Sequence, residues 1–214
     1  MRKLYGYYRS QAAFRVRIAL NLKGLEREDA YLNLARGDQF KPDYRAVNPQ
    51  MVVPTLVDGD AVLFQSMAIL EYLEETYPTP PILPTGAAAR ARVRGIAQIV
   101  VSDCHPLVIP RIRNYFDNVL KLGEAPRVGW IQHWLITGSQ ALETILAESP
   151  QTGRFCHGDA APSIADICVT THVAGAKTHG CDMGKFPTLT RIFETCMAIP
   201  AFAAAQPSNQ PDRE

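Results

Sequence analysis

Ser10 stands where a short apolar strand, Leu4–Tyr8, runs into a helix, so its hydroxyl can either cap the helix or hold an anion. Arg9, Arg15 and Arg17 surround it. A small acidic ligand at that helix start would meet backbone N–H groups, the positive end of the helix dipole and guanidinium groups together. Gln65-Ser66 sets up a related arrangement at a later helix start. Ser66 has the chemistry of an N-cap, and N–H groups beside a hydroxyl at a helix start also make a carboxylate site. With the Gln65 amide alongside, such a site could grip an α-amino-acid head group. The third candidate is Val52-Val53-Pro54-Thr55, where a proline before a strand cannot donate to the ladder and must sit at an edge or turn. Read alone, Pro54 is expected to be trans, since only about 5–6% of X–Pro bonds are cis. A cis bond would double the chain back and expose the Val53 N–H and C=O to an extended peptide ligand, adding a strand to the sheet edge.

Other polar residues read more plainly. Ser163-Ile164-Ala165-Asp166 has capping-box spacing, and a helix start fits it better than a catalytic Ser–Asp pair. His133, His157, His172 and His179 are scattered and receive no role, whereas His105 lies two residues from Asp103 and six from Arg111. That neighbourhood makes His105 a candidate for the lining of a cleft, where an imidazole could relay a proton. The five cysteines, Cys104, Cys156, Cys168, Cys181 and Cys196, form no C-x-x-C pair. An odd, dispersed set fits buried structural thiols in a reducing compartment rather than a disulfide frame or a zinc site, and no metal is expected.

The elements that must position these residues change character along the chain. Leu4–Tyr8, Glu28–Leu34, Pro54–Val57 and Ala61–Phe64 read as strands, and Ser10–Lys23, Gln39–Val47 and Ser66–Tyr77 as helices, giving the order β-α-β-α-β-β-α. Asp58-Gly59-Asp60 is the hairpin turn between the last two strands. Pro78, Pro80, Pro81 and Pro84 then make a stiff connector, which places a domain boundary between residues 1–80 and 86–214. Beyond it strand signals vanish. Ala87–Leu120, Val128–Glu148, Ser163–Lys177 and Pro187–Met197 read as helices, and the polar tail from Gln206 is expected to fray. The fold class is α/β followed by all-α.

A chain of 214 residues can bury a sizeable core. Its 22 Lys and Arg against 21 Asp and Glu leave a formal net charge of +1, so no global field draws in nucleic acid or an anionic membrane, and any anion binding must be local. No apolar run approaches the roughly 18–20 residues of a membrane span, and a cytoplasmic location is expected.

The motifs together carry a family resemblance. The β-α-β-α-β-β-α order with Val53-Pro54 and Gln65-Ser66 resembles the thioredoxin-like domain of cytosolic glutathione transferases, followed by their helical bundle domain. Arg9-Ser10-x-x-x-Phe14-Arg15-Val16-Arg17, Asn48-Pro49, Glu71-Tyr72-Leu73-Glu74-Glu75, Tyr77-Pro78-Thr79-Pro80 and the tail Gln210-Pro211-Asp212 resemble the zeta class, which contains maleylacetoacetate and maleylpyruvate isomerases. The resemblance implies that Ser10 holds the thiolate of glutathione, a cosubstrate. It implies that Gln39, Val53, Pro54, Gln65 and Ser66 bind the tripeptide, and that Arg9 and Arg111 face a small acidic substrate. It further implies a homodimer in which Asp103 reaches the glutathione amine of the partner subunit.

Four positions depart from the zeta pattern. Ser10-Gln11-Ala12 replaces Ser-Ser-Cys, which removes the thiol needed for chemistry through an enzyme–glutathione mixed disulfide but not for isomerisation. Ile109 stands two residues before Arg111 where isomerases often carry Asn, and Lys177 stands where they carry a late arginine, keeping charge but not a bidentate grip. The expected function is therefore a glutathione-dependent cis–trans isomerase of a maleyl-type dicarboxylic enone. The alternatives are a transferase processing a different electrophile in a pocket altered at Ile109 and Lys177, or a non-catalytic ligand-binding protein on the same fold.

Overall fold

The computed structural model describes residues 1–214, which divide into two compact units, Met1–Ile82 with Ala198–Glu214, and Leu83–Met197. In the first unit, β1 (Arg2–Gly6), α1 (Gln11–Leu22) and β2 (Arg27–Tyr31) form a crossover that leaves β1 and β2 parallel, with Leu4 opposite Asp29. A short 3₁₀ turn, Asp38–Phe40, precedes α2 (Pro42–Val47), so the expected helix over 39–47 is split where Pro42 takes the first helical position. β3 (Thr55–Asp58) runs antiparallel to β1, and β4 (Ala61–Phe64) antiparallel to β3, giving the sheet order β2-β1-β3-β4. Gly59, at φ +60°, closes the β3–β4 hairpin in the backbone region that other residues resist. α3 (Ser66–Thr76) follows at once.

Leu4, Phe14, Ile18, Leu20, Leu56, Ile69, Leu70 and Leu73 are all buried and make the core of this unit. Every residue of α1 from Ala12 to Leu20 is buried, the two arginines included. A helix enclosed all round must be covered on more than one face. One cover is α3; the other comes from the far end of the chain. The Val53–Pro54 and Thr79–Pro80 peptides are both cis, the first against the expectation from the residue alone. The tertiary amide of an X–Pro bond prefers trans by only about 0.5–1 kcal/mol, so the surroundings select the isomer.

In the second unit the single helix expected over Ala87–Leu120 is broken. α4 (Ala87–Gln98) widens into a π-helical stretch, Ile99–Cys104, then tightens into a 3₁₀ turn, His105–Leu107, before α5 (Pro110–Tyr115) and a second π-helical stretch, Phe116–Leu120. Pro106 and Pro110 have no N–H to donate and cannot continue an α-helical ladder from the preceding turn. α6 (Glu124–Ala147), α7 (Ile164–Thr178) and α8 (Pro187–Met197) complete the unit. The start of α7 is the expected cap: the Asp166 carboxylate accepts from Ser163 N–H (2.8 Å) and Ser163 Oγ (2.7 Å), and also from Cys156 N–H (2.7 Å). Glu143 of α6 caps α8, accepting from the N–H groups of Thr188 and Leu189 at 2.9 and 3.0 Å.

The last segment belongs to the first unit rather than to the helical one, and it is not frayed. α9 (Pro200–Ala205) packs on α1, with Phe202 wholly buried. Asn21 Nδ2 donates to Ala201 C=O (2.9 Å), and Arg17 Nε to Ala205 C=O (3.0 Å). These bonds and the second face of α1 hold residues that composition alone marks as loose.

Candidate functional site

Ser10 ends a tight turn after β1, closed by its own N–H donating to Tyr7 C=O (3.0 Å). Its Oγ accepts from Ala13 N–H (3.1 Å), the N-cap bond of α1. A hydroxyl carries one proton and two lone pairs, and the cap uses one lone pair. Cap and anion-holder, alternatives on sequence grounds, are thus compatible: the O–H can donate while the oxygen caps.

The three arginines separate. Arg9, in the turn, is exposed. Arg15 is buried, and its Nε donates to Ser66 Oγ (3.0 Å), fastening α1 to the start of α3. Arg17 is also buried, donating to Ala205 C=O (3.0 Å), Tyr7 C=O (3.4 Å) and Tyr8 C=O (3.3 Å). Burial lowers its pKa to about 10, opposed chiefly by the nearby Asp212 charge. Of the expected cluster of guanidinium groups, only Arg9 faces solvent, because the apolar surroundings of α1 turn the other two into internal ties.

Ser66 is the first residue of α3, not its cap. Gln65 is the N-cap, at φ +68°, and makes no side-chain cap bond, while Ser66 Oγ is held by Arg15. The start of α3 still directs N–H groups and the positive dipole end outward, the chemistry that suits a carboxylate. Gln65 Nε2 donates to Gln50 Oε1 (2.9 Å). Gln50 lies two residues after Asn48, which is buried and donates to Val52 C=O and Thr55 Oγ1, each at 3.0 Å. Tyr44 OH joins the same pair, at 2.5 Å from Val52 C=O and 2.8 Å from Thr55 Oγ1. Tyr44, Asn48 and Thr55 therefore shape the segment that presents Val53 before the β3 ladder begins. Asn48-Pro49, part of the family motif, is the sequence signal for this segment.

Gln39 is buried, with Nε2 near Leu34 C=O (3.5 Å) and Oε1 enclosed without a protein donor. An orphaned buried acceptor fits a ligand that brings its own N–H.

The remaining candidates lie in the helical unit. Asp103 is exposed at the end of the first π-helical stretch, His105 is half-buried in the turn after it, and Arg111 is exposed in the first turn of α5, whose N-cap is Ile109. Lys177, near the end of α7, is exposed, with its ammonium 4.4 Å from the ring centroid of Phe193 on α8. None of the five cysteines is available as a nucleophile, since all are buried. Burial pushes the Cys104 thiol up to about 11 and Cys196 to about 12, with the charges of Asp103 and Asp166 respectively adding to it.

The chain is similar to known proteins along nearly its whole length. Residues 4–81 match the family described as glutathione S-transferase, N-terminal domain. A probable maleylacetoacetate isomerase of Vibrio cholerae is 41% identical over 211 residues, covering 98% of this chain and 97% of that one. Among solved structures, the holo form of a maleylpyruvate isomerase, a bacterial zeta-class glutathione transferase, is 40% identical with a TM-score of 0.96 and covers 99% of this chain and 100% of its own. A maleylacetoacetate isomerase of Methylobacterium extorquens AM1 with bound malonate and glutathione is 47% identical, again with a TM-score of 0.96, covering 99% of each chain.

Proposed function

The chain belongs to the zeta class of glutathione transferases, and from that membership we propose that it is a glutathione-dependent cis–trans isomerase of maleyl-type dicarboxylic enones, maleylacetoacetate or maleylpyruvate. The observation that carries the reading is the Ser10 hydroxyl, whose cap bond to Ala13 leaves its proton free for a thiolate. Glutathione is a cosubstrate and is regenerated. Its backbone pairs with Val53 beside Pro54, its α-carboxylate rests on the N–H groups at Gln65-Ser66, and Gln39 Oε1 accepts one of its N–H groups. Asp103 takes the α-amino group, from the second subunit of a homodimer.

The Ser10 O–H and the positive end of α1 stabilise the thiolate of a thiol whose ordinary pKa is about 8.5. The thiolate adds to the cis double bond of the acceptor, a C–S bond forms, and the π electrons move to the conjugated carbonyl as an enolate. Arg9 and Arg111 hold the acceptor's carboxylates and offset the enolate charge. Rotation occurs about what is now a single bond, and collapse of the enolate expels the thiolate with the trans product; no proton is gained or lost overall. His105 and Lys177 line the acceptor side.

A second reading, conjugation of a different electrophile, is favoured by two observations at the acceptor side. Ile109 offers no amide there, and the Lys177 ammonium already lies over Phe193. Assays of both maleyl substrates with and without glutathione separate the readings. Glutathione-dependent isomerisation of either supports the proposal; conjugation without isomerisation replaces it. Light scattering at micromolar protein tests the dimer, and a cytoplasmic location accords with a chain in which no helix is long and apolar enough to cross a membrane.

A further inference from the structure

We propose that the last five residues of the chain act as a clasp on the catalytic turn, with Asp212 as the positioning residue that sets the place of Ser10. The proposal rests on the assignment of Ser10 to the thiolate. Asp212 Oδ2 accepts from Tyr8 N–H (2.9 Å), bonding directly to the turn that ends at Ser10. That turn has little holding it from the sheet side, because β1 ends at Gly6. Its carbonyls at Tyr7 and Tyr8 are instead gripped by Arg17, and its Tyr8 N–H by Asp212, so one buried cation and one carboxylate bracket three consecutive polar groups. Arg17 and Asp212 are also electrostatically paired, the Asp212 charge offsetting part of the burial cost of the guanidinium.

The pose of Asp212 is itself fixed. Gln210 is buried, and its Nε2 donates to the C=O groups of Ala204 and Gln206, each at 2.9 Å, which anchors the segment to the end of α9. Arg213 N–H donates back to Gln210 C=O (3.2 Å), turning the chain so that Glu214 reaches a second loop. There Glu214 Oε1 accepts from Asn33 Nδ2 (2.8 Å) and Arg36 Nη2 (2.7 Å). Asn33 N–H in turn donates to Asp38 Oδ2 (2.8 Å), one residue before Gln39. The clasp thus touches the turn that carries Ser10 and the loop that leads to Gln39.

The test compares Asp212→Ala, Asp212→Asn and a chain ending at Gln210 with the wild type and Ser10→Ala, reading kcat, KM and the amide exchange of Tyr8. Because Asp212 acts through Ser10, Asp212→Ala should approach and not exceed the loss of Ser10→Ala, about fivefold in kcat at pH 6, with KM within about twofold, and Tyr8 N–H should exchange faster. The shortened chain should behave likewise. The Asn side chain keeps an acceptor for Tyr8, so Asp212→Asn should recover kcat at pH 6 to within about 1.5-fold of wild type. A merely structural tail would show no such rescue. Wild-type kcat and Tyr8 exchange in Asp212→Ala would overturn the clasp, as would an Asp212→Asn variant as impaired as Ala. Tyr8 exchange, read in the folded state, decides the matter even if Asp212→Ala is too unstable for kinetics. Ser10→Ala at the wild-type rate would instead refute the role of Ser10, whatever the Asp212 variants do.

Discussion

Replacing Ser10 by Ala removes two things of different size. The cap bond to Ala13 N–H is worth about 1 kcal/mol, which for a chain of this length lowers Tm by roughly 2–4 °C. The O–H donated to a thiolate is a hydrogen bond to a charged group, worth about 1.5–3 kcal/mol, or about 1–2 pKa units of the bound thiol. Taking about 1.5 units, bound glutathione shifts from about 8.5 in the variant to about 7 in the wild type, and its thiolate fraction at pH 7 rises from about 3% to about 50%. The less basic thiolate is also a weaker nucleophile, by about fivefold for a Brønsted slope near 0.5, so the net loss in Ser10→Ala at pH 7 is only about threefold. The sign of the pH dependence follows: the deficit grows to about fivefold as pH falls, vanishes near about pH 7.7 and reverses at higher pH, where both thiols are ionised and the variant's more basic thiolate is the better nucleophile. Ultraviolet titration of bound thiolate, run beside isomerisation rates from pH 6 to 9, reads both quantities. An identical bound-thiol pKa in the two proteins would refute thiolate stabilisation by Ser10. A deficit that stayed constant across pH would show that the hydroxyl acts by some route other than ionisation.

Lys23 has no exposed side-chain surface and pairs with Glu74 at 3.0 Å while donating to the C=O groups of Tyr77 (2.7 Å) and Pro80 (2.9 Å). Lys23→Met should cost about 3–5 kcal/mol, measured by denaturant unfolding, because Glu74 is left as a buried charge; a loss below about 1 kcal/mol would show the pair to be dispensable. A Cβ on Gly138 of α6 would overlap Cys104 Sγ, so Gly138→Ala should lose about 1–3 kcal/mol, and adding Cys104→Ala should restore much of it; purely additive losses would contradict the packing argument. The buried thiols make a prediction in pH. The fold holds Cys104 near 11 and Cys196 near 12, above an ordinary value of 9.0, so the unfolded chain releases these protons first. Stability should therefore fall from about pH 9 up to about pH 11–12, and thiol reagents at pH 8 should label the native protein only slowly; rapid stoichiometric labelling would contradict it.

What could be read from the sequence was local chemistry. A strand, a cap residue and an apolar helix in succession put Ser10 at a helix start, and the capping spacing from Ser163 to Asp166 found α7. What could not be read was direction. Arg15 and Arg17 look identical to Arg9 in the chain, yet two point into the protein because α1 is covered on two faces, one of them by a segment some 180 residues away. The same blindness made the tail look loose: Gln210 and Asp212 bond to backbone groups, which no side-chain pattern advertises. Tyr44 and Asn48 are hidden for that reason too, since both bond to the Val52 carbonyl. At Gln65-Ser66 the helix start was legible but the cap is displaced by one residue, since Arg15 takes the serine oxygen. The break in the helix after Gln98 was written in Pro106 and Pro110, whose cost a run of helix-forming residues obscured.

The first unit is discontinuous in the chain, and this bears on how the protein is made. Residues 83–197 are contiguous and can complete their core as soon as they leave the ribosome, whereas the first unit waits for Ala198–Glu214. N-terminal domains ordinarily fold first during synthesis. Here the order of completion is reversed, and for the time taken to translate more than a hundred residues the outer face of α1 has no α9 to cover it. A nascent or prematurely terminated chain therefore displays an apolar helix face that chaperones can engage, and a fragment cut at the proline connector inherits the same exposed surface.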